Sequence, residues 1–182
     1  MRKIVYGGAV SLDLYLARPD GGVDWLLWSD DAKAIMAEWW PRFDTILMGR
    51  KTFEVALQSS KGQGSSYSGI STYVFSHTWT SSPDPNAQLV TSDAAGFVRE
   101  LKKRPGKDIC LMGGGVLAAS LLEAGLVDEI GFNIHPVLLG QGIPALPPMD
   151  RSLDLELVTS RAIQKGCVYV VYRVKNRSGS AQ

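Results

Sequence analysis

DICLMGGGVLAASLLEAG, residues 108–125, is the stretch whose reading decides the fold. Five mostly apolar residues read as a buried strand. Three consecutive glycines follow, and an apolar segment at helical spacing runs on to Gly125. A strand that turns into a helix within three residues is the joint of an α/β unit, and α/β units build parallel sheets flanked by helices. Glycine permits the sharp turn and lets a ligand approach the main chain closely. The start of the helix presents unpaired N–H groups and the positive end of its dipole, so an anion such as a phosphate is favoured there. Two readings stand at this point: a phosphate-holding turn, or a plain tight connection. The stretch is neither a Walker A loop nor a G-x-G-x-x-G fingerprint.

Working outward, the same grammar recurs. Residues 3–10 (KIVYGGAV) read as a buried first strand, and Asp20-Gly21-Gly22 as a turn. Asp30 or Asp31 is placed to cap a helix running to about Trp40, with Ala32, Ile35, Met36 and Trp39 on one face. Residues 45–48 form a short strand followed by a helix from Thr52. Residues 72–76 and 88–90 are further strands. Asp93 caps a helix to about Arg104, and residues 129–135 form another strand. Residues 58–71, rich in glycine and serine, read as a loop, as do residues 136–148. Residues 153–161 and 166–175 alternate in hydrophobicity as an antiparallel hairpin does. The expectation is one α/β domain over residues 1–175, with a mostly parallel sheet, an antiparallel edge and a polar tail at residues 176–182.

Composition narrows the function classes. The chain has 182 residues, 45% of them hydrophobic, and a formal charge of +1 from 19 basic and 18 acidic side chains. That balance offers nothing to a nucleic acid or a membrane surface, and no window is apolar enough to span a bilayer. Cys110 and Cys167 are too few for a disulfide framework, and with His77 and His135 they form no zinc pattern. No metal site is expected, and the redox setting reads as reduced and cytoplasmic.

Four other places carry candidate chemistry. Gly49-Arg50-Lys51-Thr52 puts two cations and a hydroxyl at a helix start, suited to a dianion or else a solvated basic turn. Ser76-His77 ends a strand, where α/β sheets line ligand crevices, or is an exposed loop. Asp24-Trp25 through Asp30-Asp31 sets aromatics beside acids, either a wall for a planar heterocycle or a helix cap with core tryptophans. Trp39 and Trp40 read as packing. His135, at a strand end, is read as structural.

Together and in this order, these pieces resemble the dihydrofolate reductase superfamily, and within it the branch of the C-terminal reductase domain of the bifunctional riboflavin-biosynthesis deaminase/reductase. The likeness is carried by Ser11-Leu12-Asp13, Asp24-Trp25-Leu26, Met48-Gly49-Arg50-Lys51-Thr52-Phe53-Glu54, Met112-Gly113-Gly114-Gly115 and residues 136–144 (PVLLGQGIP). The resemblance implies a three-layer fold around a sheet of about eight strands, with helices on both faces, and a homodimer. It implies NADPH as cofactor, with Ala9 and Leu16 near the nicotinamide. Gly49, Arg50, Lys51 and Thr52 would lie at the phosphates, Ser76 on the 2′-phosphate side, and Gly113, Gly114, Gly115, Val116 and Leu117 around the pyrophosphate.

The implied activity is reduction of a small polar heterocycle or ribityl precursor, 5-amino-6-(5-phosphoribosylamino)uracil being the specific candidate. The alternatives are a dihydrofolate or pterin reductase and a nucleotide-binding module without catalysis. Trp25 and Asp30 are the expected substrate residues, and Asp30 the expected proton source, with Asp31 in reserve. Counting from Trp25 selects Asp30, whereas counting back from Gly49 arrives at Lys33. Two departures stand out. Leu14 occupies a place where relatives of this branch usually carry glycine, and the sequence holds no zinc-deaminase signature.

Overall fold

A computed structural model of the chain describes residues 1–59 and 69–175, so most of the expected glycine-rich loop and the polar tail lie outside the described residues. The elements run β1 (Ile4–Ser11), β2 (Tyr15–Ala17), α1 (Asp30–Trp39), β3 (Phe43–Gly49), α2 (Arg50–Ser59), β4 (Ser71–Phe75), β5 (Ala87–Val90), α3 (Ala94–Lys103), β6 (Asp108–Gly113), α4 (Gly115–Glu123), β7 (Glu129–His135), β8 (Ile143–Pro144), β9 (Leu155–Ala162) and β10 (Val168–Val174). Eight strands form one sheet in the order β5-β4-β3-β6-β1-β7-β10-β9. Pairings from β5 to β7 are parallel, and β10 and β9 close the edge antiparallel. This is the expected sheet, strand count and hairpin.

Alternation along the central strands makes three layers. Ile4 and Tyr6 of β1, Leu47 of β3, and Ile109 and Leu111 of β6 pack on one side with Val98 and Leu101 of α3 and Leu117, Leu121 and Leu122 of α4. Val5, Ile46, Met48 and Cys110 point the other way, to Phe53 of α2 and Trp39 of α1. Strands covered on both faces need apolar residues at every position, as these runs show.

Local details differ from the sequence reading. Ser29, not Asp30 or Asp31, caps α1, its Oγ accepting the Ala32 N–H at 3.2 Å; the two acids fill the first turn, where they favour the helix dipole. Helix α2 begins at Arg50, two residues before the expected start. Asp93 caps α3 as expected, accepting from Ala95 and Gly96. The 136–148 loop contains β8, which pairs with β2.

That small second ribbon is tied to the sheet by Asp13. Its carboxylate accepts from the Ser11 hydroxyl at 2.6 Å and from the Leu139 and Gly140 N–H groups at 3.1 and 2.7 Å. These bonds, the Ser11 hydroxyl foremost, hold the Asp13 carboxyl below the usual range. The turn that delivers Asp13 places the next residue, Leu14, at φ +63°. A left-handed non-glycine residue costs about 1–2 kcal/mol, and the Leu14 side chain, half exposed, recovers little by packing. Glycine gives back roughly 0.5–1 kcal/mol of this in unfolded-chain entropy. Leu14→Gly is therefore expected to stabilise the protein by up to about 1 kcal/mol, raising Tm by roughly 2–4 °C. Leu14→Val should lower it, and a lower Tm for the glycine variant would contradict the strain argument.

Candidate functional site

Parallel pairing brings the C-terminal ends of β1, β3, β4, β6 and β7 to one edge of the sheet, the edge at which open α/β sheets bind ligands. Met48 of β3 is the pairing partner of Gly113 of β6, so GRKT and the triple glycine stand side by side. Thr52 Oγ1 lies 3.3 Å from where a Cβ on Gly114 would sit and 3.7 Å from the corresponding point on Gly113, and a Cβ on Gly49 would come 3.4 Å from the Gly114 nitrogen. Gly49, Thr52, Gly113 and Gly114 thus form one concave patch between the starts of α2 and α4.

The three glycines answer different demands. Gly113 sits at φ +115°, and the Gly113–Gly114 peptide is cis. Gly114 is the N-cap of α4 and offers no side-chain cap, which leaves the first N–H groups of the helix without intrahelical partners. A Cβ on Gly115 would meet the carbonyl oxygens of Pro144 and Ala145 at 2.7 Å, so this glycine is required by the β8 strap against α4. Val116 exposes its side chain at the helix start, and Leu117 buries its own in the core; either would serve a ligand through its backbone N–H.

The cations at α2 are arranged unequally. Arg50 Nη1 donates to Glu54 at 2.7 Å, one turn along, and Lys51 is exposed. Ser76 is buried, and its oxygen accepts the N–H groups of Thr78 and Trp79 at 3.2 and 3.1 Å. It builds the turn after β4, and the exposed neighbour His77 faces solvent.

Beside this patch lies a cavity of about 340 Å³. Its floor is Met112 of β6, Gly7 and Ala9 of β1, Gly131, Asn133 and His135 of β7, and Tyr169 of β10; its roof is Ala32, Ile35, Met36 and Trp39 of α1, with Trp40, Leu16 and residues 26–28 at the sides. Floor and roof follow from register. Gly7 pairs with Gly131 and Ala9 with Asn133, so the sheet offers almost no side chains exactly where α1 crosses it. Ala9 and Leu16, the expected nicotinamide neighbours, both line the cavity.

The expected substrate residues fare differently. Asp30 points away from the cavity: its carboxylate is 86% exposed and bonded to Lys33 at 2.9 Å. The reason is helical geometry, since Ala32 and Ile35 face inward and Asp30, two residues before Ala32, falls about 200° around the axis from it. Asp31 accepts the Gln164 N–H at 2.8 Å. Trp25 is buried edge-on against His135, ring centroids 5.3 Å apart, behind the lining. Trp28, Trp39, Trp40, Asn133, His135 and Tyr169 take the lining positions instead. Glycines inside two strands, Gly7 and Gly131, were the available signal, since strand glycines mark close backbone approach or space for a ligand.

His135 is 2% exposed. Its Nδ1 accepts the Leu27 N–H at 3.2 Å and lies 3.6 Å from Cys167 Sγ, while Nε2 lies 3.2 Å from the Asn133 amide nitrogen. Burial pushes its pKa below the ordinary 6.5. The unfolded chain then takes up the proton first as pH falls, so this contribution to stability is complete above about 6.5 and declines below it. His135→Gln, neutral throughout, should lose less stability than the wild type between about pH 7.5 and pH 5 in urea melts. Equal losses would show that His135 is not the titrating group.

Among the described residues no cluster of His, Cys, Asp and Glu could hold a metal, and no helix is long and apolar enough to cross a membrane. Residues 2–169 match the family model of the RibD C-terminal domain. The chain is 34% identical over 180 residues to the uncharacterized protein YyaP of Bacillus subtilis, covering 94% of both chains. Its fold is similar to that of a putative riboflavin biosynthesis protein from Shewanella sp. PV-4, with a TM-score of 0.82 and 25% identity over 97% of this chain and 100% of that one. It is also similar to dihydrofolate reductase from Enterococcus faecalis complexed with NADP(H) and RAB-propyl, with a TM-score of 0.68 and 14% identity over 96% and 97% of the two chains. With its eight-stranded sheet of the dihydrofolate-reductase type, the chain belongs to the RibD C-terminal domain family.

Proposed function

We propose that the protein is an NADPH-dependent reductase acting on a small molecule held in the α1 cavity. The observation that carries this reading is the adjacency of two sites. An anion-suited patch at the ends of β3 and β6 adjoins a cavity lined by Ala9 and Leu16, an arrangement that one extended dinucleotide would span. When bound, NADPH would supply a hydride, one proton with two electrons, to an electrophilic carbon of the substrate. The protein's share is to bind, orient and exclude water. The α4 N–H groups and Thr52 would hold the pyrophosphate, and Arg50 and Lys51 the 2′-phosphate side. The proton that completes reduction comes from water at the cavity mouth, because Asp30 is turned to bulk solvent.

The family model and the Shewanella structure support a reductase of the riboflavin-biosynthesis type. Arg50→Ala tests the cofactor assignment. Loss of a charged hydrogen bond costs about 1.5–3 kcal/mol, so NADPH should bind roughly 10- to 150-fold more weakly while NADH is little affected. Equal weakening would remove the 2′-phosphate role. NADPH binding with no turnover on any pyrimidine, pterin or carbonyl compound would favour a non-catalytic nucleotide module.

The sheet edge bears on assembly. Among the described residues strand β9 pairs only on its β10 side, and it exposes Leu155, Leu157 and Val158. Unprotected apolar edges pair with other chains, and a homodimer would cover this one. Sedimentation should give twice the mass of the chain, and Leu157→Lys should shift it to monomer; a wild-type monomer at micromolar concentration would reject the assembly.

A further inference from the structure

We propose that the Tyr169 hydroxyl hands over the proton that completes reduction. The substrate class that follows is a carbonyl or imine compound, whose hydride adduct is an alkoxide or amide anion too basic to be released unprotonated. The proposal deepens the reductase reading and rests on it.

Register brings Tyr169 to the cavity floor. It pairs with Asn133 of β7 on one side and Arg161 of β9 on the other, and it lines the cavity together with Asn133 and Gly131. Its hydroxyl lies 3.9 Å from where a Cβ on Gly131 would sit. The space that this glycine leaves open is the space in which the phenol ends. The hydroxyl makes no hydrogen bond among the described residues. It is not sealed off either: the unpartnered side-chain polar atoms closed to solvent there are Trp25 Nε1, Thr72 Oγ1 and Asn133 Oδ1. An O–H group free at the floor of a cavity is placed to donate to whatever fills it.

The surroundings suit proton transfer. Burial pushes the Tyr169 pKa above the ordinary 10, so the hydroxyl keeps its proton at neutral pH. Arg42 and Arg161 act on it in favour of the phenolate, and Glu129 and Glu38 against. The Arg161 guanidinium packs over the ring, 5.4 Å from its centroid, and pairs with Glu38 at 3.7 Å. Arg42 is bonded to Glu129 at 3.1 Å. Two guanidinium groups thus oppose the negative charge that forms as the proton leaves. His135, the other titratable group in the described lining, has both ring nitrogens engaged. Nδ1 accepts the Leu27 N–H, and Nε2 lies 3.2 Å from the Asn133 amide.

The step balances as follows. Hydride forms the new C–H bond while the π electrons of C=O or C=N move to the heteroatom. The heteroatom takes the Tyr169 proton as the phenolic O–H bond breaks, and the phenolate regains a proton from water at the cavity mouth. The substrate carbon gains two electrons, and the nicotinamide loses two.

Steady-state NADPH oxidation with two acceptors tests this. Hydride addition to 4-nitrobenzaldehyde leaves an alkoxide that needs an acid. Addition to 1,4-naphthoquinone leaves a hydroquinone anion that water protonates. Tyr169→Phe keeps the ring against Arg161 and removes the proton. The aldehyde-to-quinone ratio of kcat should fall roughly 100-fold or more, as for the loss of a general acid, with the aldehyde KM moving little. A structural role lowers both rates alike, and an unchanged ratio overturns the proposal. Wild-type protein that leaves the aldehyde unreduced also overturns it. If the quinone is then still reduced, the reductase reading stands; if neither acceptor is reduced, that reading falls too. A second readout needs no turnover. In protein carrying 13Cζ-labelled tyrosine and saturated with NADP+, the resonance that disappears in Tyr169→Phe should shift when 4-nitrobenzyl alcohol, the reduced product, is added at millimolar concentration. A resonance that stays in place overturns the contact on which the proton transfer depends.

Discussion

The close approach of β1 and β7 at Gly7 and Gly131 is the constraint on which the site depends. A Cβ on Gly7 would lie 2.6 Å from the Gly131 carbonyl oxygen and 3.2 Å from the Trp39 ring. β1 cannot carry a side chain at Gly7 without driving the backbones or α1 apart. Elsewhere on this face the sheet fills its layer with Val5, Ile46, Met48 and Cys110. At the glycine pair the filling stops, and α1 bridges the gap with Ala32, Ile35, Met36 and Trp39. The cavity is a stretch of core in which Gly7 and Gly131 contribute no side chains, and most of its walls are apolar. A site made by subtraction inherits the chemistry of the core around it.

The strand and helix pattern was legible because it rests on local signals. Asp93 before Ala94, Gly125 after α4, and the unbroken apolar runs of β3 and β6 each specify their own segment. The triple glycine was legible for the same reason, although its third member answers to the β8 strap, 29 and 30 residues away in sequence at Pro144 and Ala145. The substrate half was not legible in this way. Whether Asp30 or Ala32 faces inward depends on the phase of α1, and that phase is set by Ser29 as cap. A one-residue shift in helix start turns each side chain by about 100°, so counting from Trp25 or from Gly49 could not decide it. Tyr169 reaches the cavity only because β10 pairs antiparallel with β7 opposite Asn133, which is a tertiary fact.

Two sequence segments that carry the family likeness turn out to be one physical object. Ser11-Leu12-Asp13 and residues 136–144 are joined by the Asp13 carboxylate on the Leu139 and Gly140 N–H groups. The second segment continues into Ala145, whose N–H donates to the Leu14 carbonyl and whose oxygen accepts from Tyr6. The strap therefore spans from the end of β1 to the start of α4. It positions Leu16 on the cavity side and Gly115 on the phosphate side with the same few residues. The left-handed conformation at Leu14 lies at the tightest bend of that connection.

This linkage gives the two halves of the site different freedom to change. The phosphate half is built from backbone: glycine turns, helix N–H groups and a strap whose carbonyls touch Gly115. Substitution at Gly115 meets main-chain oxygens, which cannot step aside. The substrate half is built from side chains on α1 and on strands β7 and β10. Exchanging Met36 or Asn133 alters charge and shape there without touching the frame. A fold divided in this manner can hold its backbone-built patch constant while the lining of the cavity changes. An uncharged lining in a chain whose relatives share the frame is the outcome that division permits.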